Sequence, residues 1–196
     1  MTCIVGVLDK KEDCVYVGAD SLGSNWCSQA IYKNRKVFKA KDNTNILMAI
    51  CGDYKLQNIL SVEENLIEEV KHLKNEVNFE HIVKYTSPKI MNLADKYYCL
   101  RNKEGDRSIG GDIIFAYKNQ LYIIECNGQV LEPEDEYIAG GSGGDFAIAV
   151  LSQNGYKSTV DRIKEALEAA EKHGCGIKRP FYIMNTKNDE VVSISL

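Results

Sequence analysis

The chain has 196 residues, of which 44% are hydrophobic and 27% charged, with a formal net charge of −4. A chain of this length buries roughly 70% of its unfolded surface, so it needs no disulfide or metal staple, and this balance excludes a disordered polypeptide. The acidic balance argues against a dedicated nucleic-acid binder.

Residues 2–8 and 14–19 are Val- and Ile-rich and predict a hairpin about the polar turn 10–13. Two more strands are predicted at 35–40 and 45–51, around Lys41-Asp42-Asn43. The period then changes. Leu56, Ile59, Leu60, Leu66, Ile67 and Val70 recur at helical spacing over 53–72. A second helical region covers 78–102, where Ser87-Pro88 marks a helix start or a kink. Strands return at 112–117 and 120–125, and Asn127-Gly128 turns the chain into 129–131. A short strand ends at Ile138-Ala139, followed by the glycine run 140–144 and an apolar helix through Phe146, Ala147, Val150 and Leu151. An amphipathic helix is predicted at 157–172, and final strands at 181–186 and 191–195 flank Lys187-Asn188-Asp189. There is no linker or repeat, which predicts one domain over 1–196. Hairpins imply antiparallel sheets, and the absence of regular βα alternation argues against a doubly wound sheet. Two sheets face to face, each with a helix pair outside, would use every element.

The seven cysteines form no CxxC pair and stand apart from the three histidines, so neither a zinc site nor a secreted disulfide framework is predicted. Reduced, buried cysteines of a cytoplasmic protein fit the spacing. No apolar run approaches the ~18 residues of a membrane span. The N-terminus lacks the pattern of a signal peptide, so the chain is expected to start at residue 1.

Five features carry chemistry. Met1-Thr2 is a start from which methionine aminopeptidase removes Met. The freed Thr2 would carry its own nucleophilic hydroxyl and an α-amine able to act as base near neutral pH. Gly18-Ala19-Asp20-Ser21 puts a carboxylate at a strand exit, where it could orient an amine or simply make an Asx turn. Lys36 shares a strand face with Phe38 and Ala40; on a buried face it needs a partner, for which Asp20 is the candidate, and at an edge it would snorkel. At Cys51-Gly52-Asp53 a strand meets a helix whose first N–H groups could form an oxyanion hole; Cys51 is also readable as a nucleophile, although no histidine lies near it in sequence. The run Gly140-Gly141-Ser142-Gly143-Gly144 lacks the lysine of a P-loop and the spacing of a dinucleotide loop, and better suits a close approach of Ser142 to another backbone segment.

In this order the features resemble the proteasome β-subunit family of N-terminal-nucleophile hydrolases, most nearly its bacterial HslV-type peptidases. The matching segments are Met1-Thr2-Cys3-Ile4-Val5, Gly18-Ala19-Asp20, Arg35-Lys36-Val37, Ile50-Cys51-Gly52, Asn127 to Glu134, and Gly141-Ser142-Gly143-Gly144. The resemblance spans essentially the whole chain. It implies an α+β fold, a four-layer αββα sandwich of two antiparallel sheets flanked by helix pairs, and a threonine-type peptidase. Thr2 would be the nucleophile, Lys36 would lower its pKa, and Asp20 would fix Lys36. The amide of Cys51 or Gly52 would bind the oxyanion, and Ser142 would support the amine. It further implies a ring-shaped homo-oligomer acting on peptides or unfolded proteins, with an AAA+ unfoldase as the partner such rings use, and no nucleic acid or membrane. Other readings of the same scaffold are a small-molecule amidase and an inactive assembly protein. No cofactor is implied. Where family members carry an Asp or cation-binding carbonyls after the fourth helix, this chain has Lys172 to Pro180, so a monovalent-cation site is without support and His173 is the substitute for the Asp.

Overall fold

The computed structural model describes residues 1–25, 27–67, 77–103, 105–153, 155 and 157–195. One sheet is built from β1 (Ile4–Asp9), β2 (Cys14–Ala19), β12 (Tyr137–Gly140), β13 (Phe181–Asn185) and β14 (Val191–Ile194), in the order β12-β1-β2-β13-β14. The other contains β5 (Val37–Lys39), β6 (Ile46–Ile50), β9 (Ile113–Tyr117), β10 (Gln120–Ile124) and β11 (Val130–Leu131), in the order β11-β10-β9-β6-β5. Neighbours in both sheets are antiparallel. The period-2 alternation sorts side chains into layers. Ile4, Val15, Val17, Leu47, Ala49, Ile114, Ala116 and Leu121 meet between the sheets. The intervening Met48, Ile113, Phe115 and Tyr122 face α1 (Tyr54–Val62) and the helical stretch that ends in α3 (Ser87–Lys96). On the far side, Val5, Val7, Phe181 and Ile183 pack under α4 (Gly144–Leu151) and α5 (Thr159–His173). The four-layer sandwich expected above is the fold. Among the described residues, no helix is long and apolar enough to cross a membrane.

The departures from the predicted elements have local causes. Helix α1 stops at Val62, although the apolar spacing runs on. Asn65 adopts φ 57°, off the right-handed helix, and its N–H bonds the Asp42 carboxylate. Leu66 is still buried, but not as a helical residue. Val70, the last residue of that pattern, lies outside the described residues. The region 78–102 is helical only to Lys96: α2 (Phe79–His81), a π-helical turn at Ile82–Thr86, then α3. Pro88 has no N–H to continue the ladder, and the turn before it adopts the wider spacing, with the Ser87 N–H bonding the Ile82 carbonyl. The helix ends in a Schellman motif: Tyr98 takes φ 58°, its N–H bonds the Asp95 carbonyl, and the Cys99 N–H bonds that of Ala94. Residues 101 and 102, inside that predicted helix, instead belong to β7 (Arg101–Lys103), which pairs with β8 (Asp106–Ser108). A second short ribbon pairs β3 (Leu22–Ser24) with β4 (Gln29–Ile31). Its three-residue strands are too short for an alternation to register.

Candidate active site

Thr2 and Cys3 lead into β1 and are clamped from both sides. The Gly143 N–H donates to the Thr2 carbonyl (3.2 Å). On the other side the Cys3 N–H donates to Asp20 Oδ1 (3.0 Å), and the Asp20 N–H returns a bond to the Cys3 carbonyl (3.2 Å). Asp20 sits at the exit of β2, the neighbour of β1, so the hairpin predicted from sequence brings it to the start of the chain.

Three side chains converge there. Lys36 Nζ lies 2.8 Å from Asp20 Oδ1 and 3.0 Å from Thr2 Oγ1. Thr2, Asp20 and Lys36 are 6%, 1% and 2% exposed. Besides Lys36 and the Cys3 amide, the carboxylate accepts the Leu22 N–H on Oδ2 (3.0 Å), so its charge is hydrogen-bonded on both oxygens. Burial pushes the Lys36 amine below its usual range, and the charge of Asp20 opposes the shift. The Thr2 hydroxyl donates to the Met1 carbonyl (2.6 Å), which also lies 3.5 Å from Lys36 Nζ. A positively charged amine beside a hydroxyl stabilises the alkoxide that a nucleophile must become.

Of the two readings open for Lys36, the structure has the buried one, but strand alternation is not the reason. Phe38 and Ala40 turn toward the helix layer and Val37 between the sheets. Lys36 occupies a bend ahead of β5, while Arg35 stacks on the ring of Tyr182 (4.6 Å).

Ser142 Oγ accepts the Thr2 N–H at 3.2 Å. The glycine before it is a steric requirement: Gly141 has φ 81°, and a Cβ there would stand 2.4 Å from the Thr2 carbonyl oxygen. His173, the expected substitute for an acidic residue near the amine, ends α5 on the surface with its ring against Phe146.

Of the two amides proposed for an oxyanion, that of Cys51 is taken, since it donates to the Asp112 carbonyl (3.1 Å). This leaves Gly52, at φ 101°. The Cys51 thiol is seated on the same loop: the Asp112 N–H donates to its sulfur (3.2 Å), and burial pushes its pKa up. A thiol held neutral in this way is a poor nucleophile. Sequence reasoning passed over Gly110-Gly111-Asp112. The signal was a glycine pair and an Asp ahead of a strand. The pair lets this loop touch residues 51–52 backbone to backbone, since a Cβ at Gly111 would meet the Cys51 carbonyl oxygen at 2.1 Å. Among the described residues, no group of three His, Cys, Asp or Glu could hold a metal ion.

Fold and constellation together define a proteasome β-like N-terminal-nucleophile hydrolase fold. The family model described as "Proteasome subunit" matches residues 2–175, and the chain belongs to that family. Proteasome subunit beta 1 of Thermococcus kodakarensis is 31% identical over 176 residues, covering 86% of this chain and 78% of that protein. The ATP-dependent protease subunit HslV of Caldicellulosiruptor saccharolyticus is 26% identical over 172 residues, covering 86% and 89%. Among solved structures, BPH of Thiobacillus denitrificans superposes with a TM-score of 0.71 at 15% identity, covering 98% of both chains.

Proposed function

We propose that this protein is a threonine-type peptidase whose nucleophile is Thr2 after removal of Met1. The observation that carries the reading is the Lys36 amine 3.0 Å from Thr2 Oγ1, itself paired with Asp20 at 2.8 Å. Loss of Met1 converts the Thr2 amide into an amine beside its own hydroxyl and the Ser142 hydroxyl. That amine takes the Oγ1 proton as the oxygen attacks the substrate carbonyl. Lys36 stabilises the developing negative charge on Oγ1, and the Gly52 N–H donates to the carbonyl oxygen as it becomes an oxyanion. The C–N bond then breaks, the protonated amine hands its proton to the departing peptide, and water hydrolyses the remaining ester. The reaction needs no cofactor.

In this reading the protein is a subunit of a cytoplasmic homo-oligomeric ring that receives unfolded chains from an ATP-driven partner; the relative named as an ATP-dependent protease subunit supports the subunit role and the dependence on ATP. An inactive scaffold is the alternative, favoured by the lack of a carboxylate among the described contacts of the Thr2 nitrogen.

Intact mass, native oligomer size and turnover of fluorogenic peptides decide between them. The expected result is a mass lacking one methionine and peptide turnover abolished by Thr2→Ala, with Cys51→Ala retaining most of it. A mass that includes Met1, with no turnover, assigns the scaffold role.

A further inference from the structure

A cavity of about 460 Å³ opens at the end of β1 remote from Thr2, between the β1–β2 turn and the start of α5. The cationic side chains of Lys10, Lys11, Lys157 and Arg162 line it, against the carboxylates of Asp9, Glu12 and Glu136. The carboxylates are already engaged. Asp9 Oδ1 accepts the N–H groups of Lys11 and Glu12 (3.0 Å each), and its Oδ2 accepts the Thr159 hydroxyl (2.6 Å). Glu12 accepts the Tyr16 hydroxyl (2.8 Å), and Glu136 pairs with Lys10 (2.6 Å). Of the remaining cations, Lys157 pairs with Glu165, whereas Lys11 and Arg162 make no ion pair among the described residues. Arg162 lies part-buried along the Tyr137 ring, its guanidinium carbon 5.9 Å from the centroid. Its Nε is enclosed and has no acceptor among the described residues. Buried N–H groups are nearly always bonded, so this donor is left over in the free protein.

We propose that this cavity binds a phosphate group, free or carried by a small organic molecule. The two unpaired cations match the charge of about −1.5 to −2 that a phosphate monoester carries at pH 7. The planar fork of Arg162 fits two oxygens of one phosphate, and turning off the Tyr137 ring onto the ligand gives Nε the acceptor it lacks. Lys11 adds a point charge from the turn. The volume exceeds that of a bare phosphate ion, and the organic part of an ester meets Leu8 and Val160 on the same wall. The site stands a strand's length from Thr2, so it holds whether or not the protein is a peptidase.

Isothermal titration calorimetry of the full chain tests this, in phosphate-free buffer at low ionic strength, with inorganic phosphate, phenyl phosphate and benzoate as probes. Phenyl phosphate is expected to bind about tenfold more tightly than benzoate, which has the same ring and a single charge. Arg162→Gln weakens it by about tenfold or more, and Arg162→Lys recovers only part of the loss, because a point charge cannot make the paired bonds. Lys11→Gln weakens it less and makes the affinity less sensitive to salt. Inorganic phosphate that binds as tightly as phenyl phosphate supports the site with the free ion as its ligand, and weaker binding supports it with an ester. Absence of binding by both phosphates at millimolar concentration, benzoate binding as tightly as phenyl phosphate, or affinities that neither Arg162→Gln nor Lys11→Gln alters would each overturn the proposal. Thermal midpoints of the ligand-free variants separate lost binding from lost folding. Should Arg162→Gln unfold the chain, Lys11→Gln on the exposed turn decides: weaker binding with a lower salt dependence supports the site, and wild-type binding overturns it.

Discussion

Lys36→Met tests the central pair directly. Methionine fills much the same volume and removes the charge. Asp20 is then left 1% exposed, with the amides of Cys3 and Leu22 but no counter-charge. Removing one partner of a buried pair costs about 3–5 kcal/mol, and the two remaining amide bonds place this case near the lower figure. With a urea m-value of about 2 kcal/mol/M, a loss of about 3 kcal/mol moves the unfolding midpoint down by roughly 1.5 M. Circular dichroism at fixed protein concentration measures it, the fixed concentration being needed because assembly adds to apparent stability. Adding Asp20→Asn recovers part of the loss. It removes the stranded charge, although its NH2 group then faces one of the two amide donors. In peptide turnover the same substitution removes the positive charge 3.0 Å from Oγ1, for an expected fall of about 10²–10³ in kcat. A midpoint shift under about 0.5 M, which is about 1 kcal/mol, would refute the claim that this pair is desolvated and interdependent. Unchanged turnover would refute its role at the hydroxyl.

Gly141→Ala places a methyl group 2.4 Å from the Thr2 carbonyl oxygen at a backbone angle alanine rarely adopts. The expected outcome is a loss of about 1–3 kcal/mol in thermal or urea unfolding and more than tenfold in turnover; wild-type behaviour would mean the contact is looser than described. Alkaline stability reports on Cys3, whose thiol burial pushes from 9.0 to about 12, with the charge of Asp20 adding and that of Lys36 opposing. Because the folded chain keeps this proton longer than the unfolded one, the stabilisation is complete below pH 9 and is lost as the pH rises from 9 to 12. The loss reaches about 4 kcal/mol at most. In reducing buffer, Cys3→Ala should therefore show a shallower fall in urea midpoint across that range, and superimposable curves would contradict the argument.

The layers were legible because nearly every strand alternates. β6 sends Met48 one way and Leu47 and Ala49 the other, and the neighbouring β9 does the same. The residues at the site were legible for a different reason. Thr2, Asp20, Lys36 and Ser142 each sit at a strand edge or a glycine turn, where a polar residue needs an explanation. The Lys36–Asp20 partnership followed from the cost of burying either alone. What escaped were effects without a local signature. Tyr98 occupies a left-handed position that a sequence reader assigns to glycine. The seat of Cys51 is supplied by Asp112, some sixty positions away, through a contact that no spacing rule encodes. The Tyr32 ring lies over Gly23 and edge-on to Tyr54, and nothing near that glycine announces two rings.

The clamp on the start of the chain bears on the timing of maturation. The three bonds that clamp the Thr2–Cys3 backbone, from Gly143 to the Thr2 carbonyl, from the Cys3 amide to Asp20 and from the Asp20 amide to the Cys3 carbonyl, lie on the far side of the Met1–Thr2 bond. Trimming there would disturb none of these anchors. It would delete the Met1 carbonyl to which the hydroxyl donates and set a newborn amine beside it. In the proposed peptidase, the ordering entropy of the nucleophile would thus be spent during folding rather than at each turnover, so a single cut would switch an already assembled centre from dormant to competent.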